Sequence, residues 1–305
     1  MAPPDPSPRS SALPLVAVAV TLLLWSSAFV AIRHLGHTFS PGALSLGRLL
    51  VGSVALGIVL LMRGWTLPSR RDWPGLVVIG VLWFGLYNVA LNAGELRVDA
   101  GTAAMLIQLS PVLVAVLAAV FLGERATPAL GVGLLVAFGG VVLIATSTSD
   151  HGQRDPLGVF LCLVSAAAYA VSLIFQKPLV SRLSAIEVTW IACTVGALVC
   201  LPFAPGLARD AADASASDIA WVLYLGVFPT AIAFSTYAFA LTSMSAGNLS
   251  VTTYLVPPIT VLLSWVLLSE APPGMAYVGG ALCLLGVALA RRKPRSRVRE
   301  TAEVG

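Results

Sequence analysis

The side chains that could do chemistry in this chain are polar groups placed at helical spacing inside apolar segments. One set recurs at intervals of four, three and four residues and consists of Ser165, Tyr169, Ser172 and Gln176. That spacing puts its members on one face of a helix. A second set, on an earlier segment, consists of Asn88, Asn92 and Glu95, with Tyr87 beside it. Hydroxyl and amide groups of this kind bind a polar solute through hydrogen bonds, so both sets predict small-molecule recognition.

Further polar and aromatic side chains are candidates for the same solute-binding role because they also lie within apolar segments. They are Trp25, Ser26, Gln108, Tyr237, Thr252 and Tyr254. Each has a structural alternative. Asn, Gln and Ser side chains also link neighbouring membrane helices, at about 0.6 kcal/mol per hydrogen bond, and Tyr and Trp often lie at membrane interfaces. For a single residue both roles stay open, whereas the stripe at 165–176 as a whole favours a cavity.

Two prolines within apolar segments, Pro111 and Pro257, could bend the helices that contain them. Proline has no N–H, so each removes one backbone hydrogen bond and frees the carbonyl four residues earlier, at Ile107 and Thr253. Neighbouring groups can satisfy such a carbonyl, which would leave a harmless kink. Because the prolines occupy matching positions of an internal repeat, we favour a conformational role for both.

Ionisable and reactive groups are too few and too scattered to predict an enzyme. Arg48 could extend its side chain to the membrane surface or pair with Glu95, and such a pair could carry a proton or balance charge. The four cysteines lie inside apolar segments without CxxC spacing, which predicts buried thiols rather than disulfides or metal ligands. The sequence contains no Walker, HExxH or GxSxG motif. We expect no metal, no cofactor and no catalytic residue.

Composition assigns these candidate groups to membrane helices. The chain is 58% hydrophobic and 10% charged, whereas a soluble domain has roughly 25% charged residues. A helix needs about 20 apolar residues to cross a bilayer. Ten segments approach that length: 13–32, 42–62, 74–93, 100–121, 128–146, 157–176, 185–203, 218–241, 247–268 and 273–290. Residues 1–12, rich in Pro and Ser, are predicted to form a disordered tail.

The chain also repeats itself at an offset of 146 residues. The matching positions include a mid-segment proline and an end-of-segment glutamate, which apolar composition alone does not produce. They are Ala100 with Ala246, Gly101 with Gly247, Pro111 with Pro257, Glu124 with Glu270, Gly133 with Gly279, and Gly140 with Gly286. We therefore predict an all-α membrane protein of ten transmembrane helices, with one five-helix repeat at 13–146 and another at 147–290. An odd number of helices per repeat inserts the second repeat upside down.

Positive charge predicts the orientation in the membrane. If the N-terminus is cytoplasmic, thirteen Lys and Arg residues fall in cytoplasmic segments and four in external loops. Cytoplasmic loops of membrane proteins carry such an excess, so we expect a multi-pass protein of the plasma membrane with both termini in the cytoplasm. The tail at 291–305 holds most of the excess positive charge. Because it directly follows an apolar segment, we expect it to contact anionic membrane lipids rather than nucleic acid.

Four stretches of the sequence resemble a known family. They are LLLWSSAFVAIRHL at 22–35, SPGALSLGRLL at 40–50, LSPVLVAVLAAVFLGE at 109–124 and its weaker copy LVPPITVLLSWVLLSE at 255–270. These stretches are similar to the EamA family of the drug/metabolite transporter superfamily, and the resemblance covers roughly residues 13–290. It implies a ten-helix inner-membrane carrier, in many cases an exporter of amino acids and other small metabolites. It also implies a central cavity formed by the first, third, fourth, sixth, eighth and ninth apolar segments.

The predicted function is that of a secondary transporter, which moves amino acids or similar small amphipathic metabolites outward by alternating access. A phosphate-bearing substrate would need Lys or Arg near mid-span, where this sequence has none. A nucleotide-sugar or drug carrier is therefore the second choice, and a non-transporting membrane protein or an intramembrane enzyme the third. Glycines in the fifth and tenth segments allow close helix contacts, either within the chain or between two copies in a homodimer.

The predicted orientation can be tested with single cysteines in a cysteine-free background. Cysteines at Ser149 and Ala214 should react with an impermeant thiol reagent added to intact cells, because both positions fall in predicted external loops. A cysteine at Ser69 should not react, because it falls in a predicted cytoplasmic loop. Labelling at Ser69 in intact cells would show that the orientation is reversed.

Overall fold

The structure is a computed structural model that describes residues 12–97, 106–148, 155–268 and 274–290. Within these ranges every regular element is a helix. Several predictions fall outside the described residues. They concern the tails at 1–11 and 291–305, the repeat positions Ala100, Gly101 and Glu270, and the Glu95 side chain.

Eleven helical elements follow one another along the described part of the chain. They are α1 Leu13–Leu35, α2 Pro41–Arg63, α3 Trp73–Ile79 continuing through Gly80–Tyr87 and Asn88–Glu95, α4 Ser110–Phe121, α5 Pro128–Thr148, α6 Pro156–Leu179, α7 Ala185–Val199, α8 Ala204–Asp213, α9 Ala216–Ser243, α10 at residues 246–268, and α11 Gly274–Ala290. Capping boxes begin two of them. Ser184 and Glu187 cap α7, and Ser215 and Asp218 cap α9.

Five described helices are long and apolar enough to cross a membrane. They are Leu13–Ile32, Pro41–Arg63, Trp73–Gly94, Pro156–Leu179 and Ala216–Ser243. A sixth span results if Ala185–Val199 and Leu201–Asp213, which meet at a bend of 52°, are counted as one helix crossing the membrane. Shorter apolar helices occur at Ser110–Phe121, Pro128–Leu143 and Tyr277–Ala290. The chain is thus an all-helical, multi-pass membrane protein, and the predicted total of ten spans stays a prediction.

Two long helices contain π-helical stretches at matching positions. The stretch in α3 begins at Gly80 and the stretch in α9 begins at Gly226, which lie 146 residues apart. Both glycines make room for a neighbouring helix. A Cβ built on Gly80 would lie 2.8 Å from the Ala192 carbonyl oxygen on α7, and one on Gly226 would lie 2.9 Å from the Arg48 carbonyl oxygen on α2. Such π-helical stretches widen the helix locally and occur frequently at functional sites.

The helices α5 and α11 pack against each other through glycines. A Cβ built on Gly140 would lie 2.5 Å from the Gly279 carbonyl oxygen, and one on Gly286 would lie 2.4 Å from the Ala137 backbone nitrogen. The pairing is antiparallel, because Gly133 faces Gly286 at one end of the contact while Gly140 faces Gly279 at the other. Small residues let two backbones approach this closely, which strengthens helix packing in a membrane.

Contacts between connecting segments define one end of the bundle, which we call the Asp72 end. Arg182, after α6, pairs with Asp72, before α3, at 2.8 Å. The Glu187 carboxylate on α7 accepts a hydrogen bond from the Thr66 backbone N–H at 2.7 Å. The hydrogen bond from the Ser69 hydroxyl, helped by the Arg182 charge, holds the pKa of the Asp72 carboxyl below its usual value although burial opposes the shift.

The opposite end, which we call the Ser40 end, is tied together in the same way. The Asp210 carboxylate on α8 accepts a hydrogen bond from the Ser40 backbone N–H at 2.9 Å. Arg97, after α3, pairs with Asp155, before α6, at 3.1 Å. Each end therefore joins connecting segments from both halves of the chain.

The glycine packing predicts different outcomes for two neighbouring alanine substitutions in α5. Gly140→Ala should lower the thermal stability of the purified protein, because its methyl group would overlap the α11 backbone. Gly139→Ala should leave stability unchanged or raise it by about 0.4–1 kcal/mol, because alanine favours the helix and its Cβ would meet nothing within 4 Å. Thermal unfolding in detergent measures both. Equal melting temperatures for the two variants would refute this account of the α5–α11 contact.

Candidate functional site

Six aromatic rings from four helices fill the centre of the bundle. They come from α1, α3, α6 and α9 and are Trp25, Trp83, Phe84, Tyr169, Phe234 and Tyr237. Trp25 and Phe234 have ring centroids 5.3 Å apart, and Trp83 lies 5.0 Å from Phe234. Edge-to-face contacts of this kind are favourable beyond the burial of their area. We call these residues the aromatic cluster.

The two tyrosines of the cluster join α6 to α9. The hydroxyl groups of Tyr169 and Tyr237 form a short hydrogen bond, and both side chains are buried. The sequence predicted a binding role for each tyrosine but not that the two would meet. Phe234 and Trp83 were missed because they read as ordinary apolar residues. Their signal was spacing, since Phe234 precedes Tyr237 by three residues and Trp83 precedes Tyr87 by four.

Three buried polar atoms at or beside this cluster have no hydrogen-bond partner among the described residues. They are Trp25 Nε1, Ser172 Oγ and Gln176 Oε1. Ser172 is fully buried and Gln176 is 1% exposed. Ser172 and Gln176 follow Tyr169 by three and seven residues on α6, so the three share one helix face. An unpaired buried polar group costs about 1–3 kcal/mol, and native proteins contain few of them. Such atoms are therefore available to a bound solute.

The amide side chains predicted to bind substrate instead bind protein groups in this conformation. Gln108 donates to the Thr253 carbonyl on α10 at 2.8 Å. Asn88 donates to the Phe84 carbonyl at 2.9 Å, within its own helix, and Asn92 donates to the Ser45 hydroxyl on α2 at 3.1 Å. Gln108 and Asn92 thus link separate segments in this conformation, whereas Asn88 binds carbonyls of its own helix, and the binding role of all three stays a prediction.

The remaining predicted residues divide between the cluster and other parts of the bundle. Ser26 donates to the Val256 carbonyl at 3.2 Å, and Thr252 donates to the Leu249 carbonyl within its own helix. Tyr87 is partly buried against the core that contains the cluster. Tyr254 packs instead in a separate core beside α5 and α11, where its hydroxyl has no partner among the described residues.

Both carbonyls that the prolines free are satisfied. The Ile107 carbonyl accepts a hydrogen bond from the Ser110 hydroxyl, next to Pro111. The Thr253 carbonyl, four residues before Pro257, accepts the Gln108 amide at 2.8 Å. Around Thr253 the chain tightens into a 3₁₀ helix over Val251–Leu255, which follows from the missing N–H groups of the proline pair.

The Arg48 side chain is buried between α2 and α9. It is 6% exposed, and Nε donates to the Thr230 hydroxyl at 3.0 Å. Thr230 belongs to the π-helical stretch of α9 and donates in turn to the Leu225 carbonyl at 2.8 Å. The predicted partner Glu95 has no described side chain. Within the described residues, no three His, Cys, Asp or Glu side chains lie close enough together to hold a metal.

Two cavities lie near the bundle ends, and no residue of the aromatic cluster lines either of them. One, of about 330 Å³, lies between α1 and α9 beside Ser27 and Tyr224. The other, of about 350 Å³, lies at the junction of α4, α5 and α10 beside Glu124 and Asn248. Tyr237 and Trp83 at the centre are 0% and 1% exposed. The centre is therefore closed from both ends.

The chain matches known transporters over nearly its whole length. The model of the EamA-like transporter family matches residues 12–146 and again residues 156–292. A probable terminal-alkyne amino-acid exporter of Streptantibioticus cattleyicolor is 38% identical over 289 residues, covering 95% of this chain and 97% of that protein. The uncharacterized transporter YdfC of Bacillus subtilis is 29% identical over 273 residues, covering 90% and 89%. A solved crystal structure at 22% identity, with a TM-score of 0.76, covers 91% of this chain and 96% of its own, which shows a shared fold.

Gln108, whose amide has a protein partner, and Gln176, whose amide oxygen has none, predict different effects of substitution on stability. Gln108→Leu should lower the free energy of unfolding by about 0.5–1.5 kcal/mol, because the Thr253 carbonyl would lose the Gln108 amide and keep only the Val256 N–H. Gln176→Leu should cause no such loss, because the Gln176 amide oxygen has no protein partner to orphan. Thermal unfolding of both purified variants gives the comparison. Destabilisation by Gln176→Leu as large as that by Gln108→Leu would mean that Gln176 serves the fold.

Proposed function

Because the chain belongs to the EamA-like transporter family, we propose that it is a secondary transporter that exports amino acids or similar small amphipathic metabolites by alternating access. The chain works without a bound cofactor in this proposal, and its own helices supply the path. The relative from Streptantibioticus cattleyicolor is a probable terminal-alkyne amino-acid exporter. Its 38% identity over nearly the full chain supports a related substrate here.

The proposed scaffold is two inverted five-helix repeats, ten spans in all. Three observations support it. The family model matches each half separately. The π-helical stretches begin at Gly80 and Gly226, which are matching positions. In the antiparallel contact of α5 with α11, Gly133 faces Gly286 and Gly140 faces Gly279, and a two-fold rotation that exchanges the repeats converts one of these pairs into the other.

The proposed orientation has the Asp72 end in the cytoplasm, both termini on that side, and the protein in the plasma membrane. The excess of Lys and Arg in the predicted cytoplasmic segments supports this orientation. The contacts at both ends of the bundle support the same topology. With ten spans, the two segments joined by each of these contacts would lie on the same side of the membrane.

Alternating access needs a conformation in which the substrate site is closed from both sides, and the closed aromatic cluster matches that conformation. Opening toward one side would separate α9 from α6 or α1 at the Tyr169–Tyr237 contact, where a hydrogen bond and a few ring contacts hold them. These interactions are individually small and can be exchanged for contacts with a solute.

The observation that carries the proposed substrate class is the group of unpaired polar atoms at or beside the aromatic cluster. Ser172, Gln176 and the Trp25 indole offer one hydroxyl, one amide and one N–H, while the rings offer apolar surface. A zwitterion with an apolar side chain matches this mixture, and aromatic faces attract its ammonium group. Lys177, the cation next to Gln176, donates instead to carbonyls of α9. A phosphorylated sugar would therefore bring charge that this lining leaves unbalanced.

Transport by the purified protein in liposomes tests this proposal. We expect saturable uptake of neutral amino acids with apolar side chains, and an increase in KM of about 3- to 10-fold for Ser172→Ala and Gln176→Leu, which is the effect of one lost hydrogen bond. Phe175→Leu is the matched control, because Phe175 is 43% exposed on the outer face of the same helix. Uptake of a nucleotide sugar without uptake of any amino acid would contradict the substrate class.

A further inference from the structure

Two charged side chains hold the corner between α9 and α10 from opposite sides. The Lys177 ammonium, near the end of α6, donates to the carbonyls of Leu241 at 2.6 Å and of Met244. The Glu124 carboxylate, between α4 and α5, accepts the backbone N–H of Ala246 at 2.7 Å and a further N–H one residue later, at 3.1 Å. We call this arrangement the corner clamp.

The charges of the clamp match the polarity of the two helix ends they bind. The last carbonyls of α9 carry partial negative charge and receive an ammonium, whereas the first N–H groups of α10 carry partial positive charge and receive a carboxylate. Hydrogen bonds to ionised groups are shorter and stronger than neutral ones. The opposite charges of Lys177 and Glu124 also attract each other across the corner. The clamp thus supplies four of the hydrogen bonds that these two helix ends leave unmade within their own helices.

The clamp lies where movement of the corner would reach the substrate site. Lys177 directly follows Gln176 on α6, and the adjoining Arg182 pairs with Asp72, so the clamp lies at the Asp72 end. The corner itself joins α9, which carries Tyr237, to α10, whose Thr253 carbonyl binds Gln108. Displacing the corner would therefore shift both helices relative to the aromatic cluster.

The clamp is built to be released as well as held. The cavity of about 350 Å³ borders Glu124 and is lined also by Thr127, Ser245 and Asn248. Water in a cavity with these polar groups can replace the protein donors of the carboxylate, so its hydrogen bonds can break without leaving an unpaired charge. A fully buried ion pair would lack this route.

We propose that Glu124 and Lys177 form a latch that keeps the Asp72 end closed, and that this end opens only when the latch releases the α9–α10 corner. The Lys177 half holds the last carbonyls of α9 and the Glu124 half holds the first N–H groups of α10. The corner therefore leaves α6 and the α4–α5 connection only when both sets of bonds break.

The test measures how fast a thiol reagent reaches a buried cysteine from the Asp72 end. Thr252→Cys is the reporter in a cysteine-free background, because Thr252 is 1% exposed and lies in α10 just beyond the corner. Membrane vesicles are used in the orientation in which a cysteine at Ser69 reacts with the impermeant reagent. Glu124→Gln and Lys177→Met should each speed labelling of the reporter about tenfold or more, the factor expected when hydrogen bonds to a charged group are lost.

Two control variants make the result specific. Lys177→Arg keeps the positive charge and the donors, so labelling should stay near the rate of the parent. Arg71→Met removes an exposed cation from the same end, so it should also leave labelling unchanged. If either Glu124→Gln or Lys177→Met fails to reach the membrane, the other variant still decides the question against these controls.

Unchanged labelling in the latch variants, or equal acceleration by Arg71→Met, would overturn the latch. The latch rests on the proposed alternating access, yet labelling needs no substrate. The two proposals can therefore fail separately. Accelerated labelling in a protein that transports none of the amino acids tested would retain the latch and reject the substrate class.

Discussion

Every backbone carbonyl and N–H group in an apolar bundle needs a hydrogen-bond partner, because no water is present to supply one. This constraint governs the polar side chains of the protein. At the proline pair in α10 the Thr253 carbonyl loses its α-helical donor, and the Val256 N–H and the Gln108 amide serve it instead. In the π-helical stretch of α3, the Asn88 amide serves carbonyls of its own helix. Polar groups committed in this way are no longer free to recognise a solute.

The same constraint identifies the groups that remain. Ser172 and Gln176 are as deeply buried as Gln108, but their unpaired oxygens face no protein donor. In a sequence this apolar, such atoms are a cost to the fold unless they bind something for part of the time. They lie one and two turns beyond Tyr169 on the same face of α6, and the aromatic cluster at Tyr169 supplies apolar surface without fixed charge. The chemistry of this combination matches a small amphipathic molecule and not a strongly charged one.

Helix packing adds a mechanical constraint. The close glycine contact of α5 with α11 leaves no room for a side chain, so these two helices form a rigid pair outside the aromatic cluster. Two of the four helices that line the cluster, α3 and α9, contain the π-helical stretches instead, at Gly80 and Gly226. Irregular backbone therefore lies beside the cluster, and regular, tightly packed backbone lies in the α5–α11 pair.

The sequence by itself determined the class of the protein. The length of the apolar segments, the position of Lys and Arg and the repeat offset of 146 residues can all be read from the chain alone. Lipid offers the backbone no hydrogen bonds, so apolar segments of this length must form helices, unless they form a closed barrel. Helical spacing also identified the face of α6 that carries Tyr169, Ser172 and Gln176. These inferences need only local geometry.

Tertiary structure decided which of the predicted polar residues are free. Gln108 and Gln176 look alike in the sequence, as amides within apolar segments, yet one binds the Thr253 carbonyl and the other has an unpaired oxygen. Tyr237 and Tyr254 likewise look equivalent, but one joins the aromatic cluster and the other packs beside α5 and α11. Whether a side chain is paired depends on which neighbouring helix packs against it and at what distance. Spacing along one helix specifies the direction of a side chain, whereas its partner comes from a segment that is distant in the sequence and is brought close only by folding.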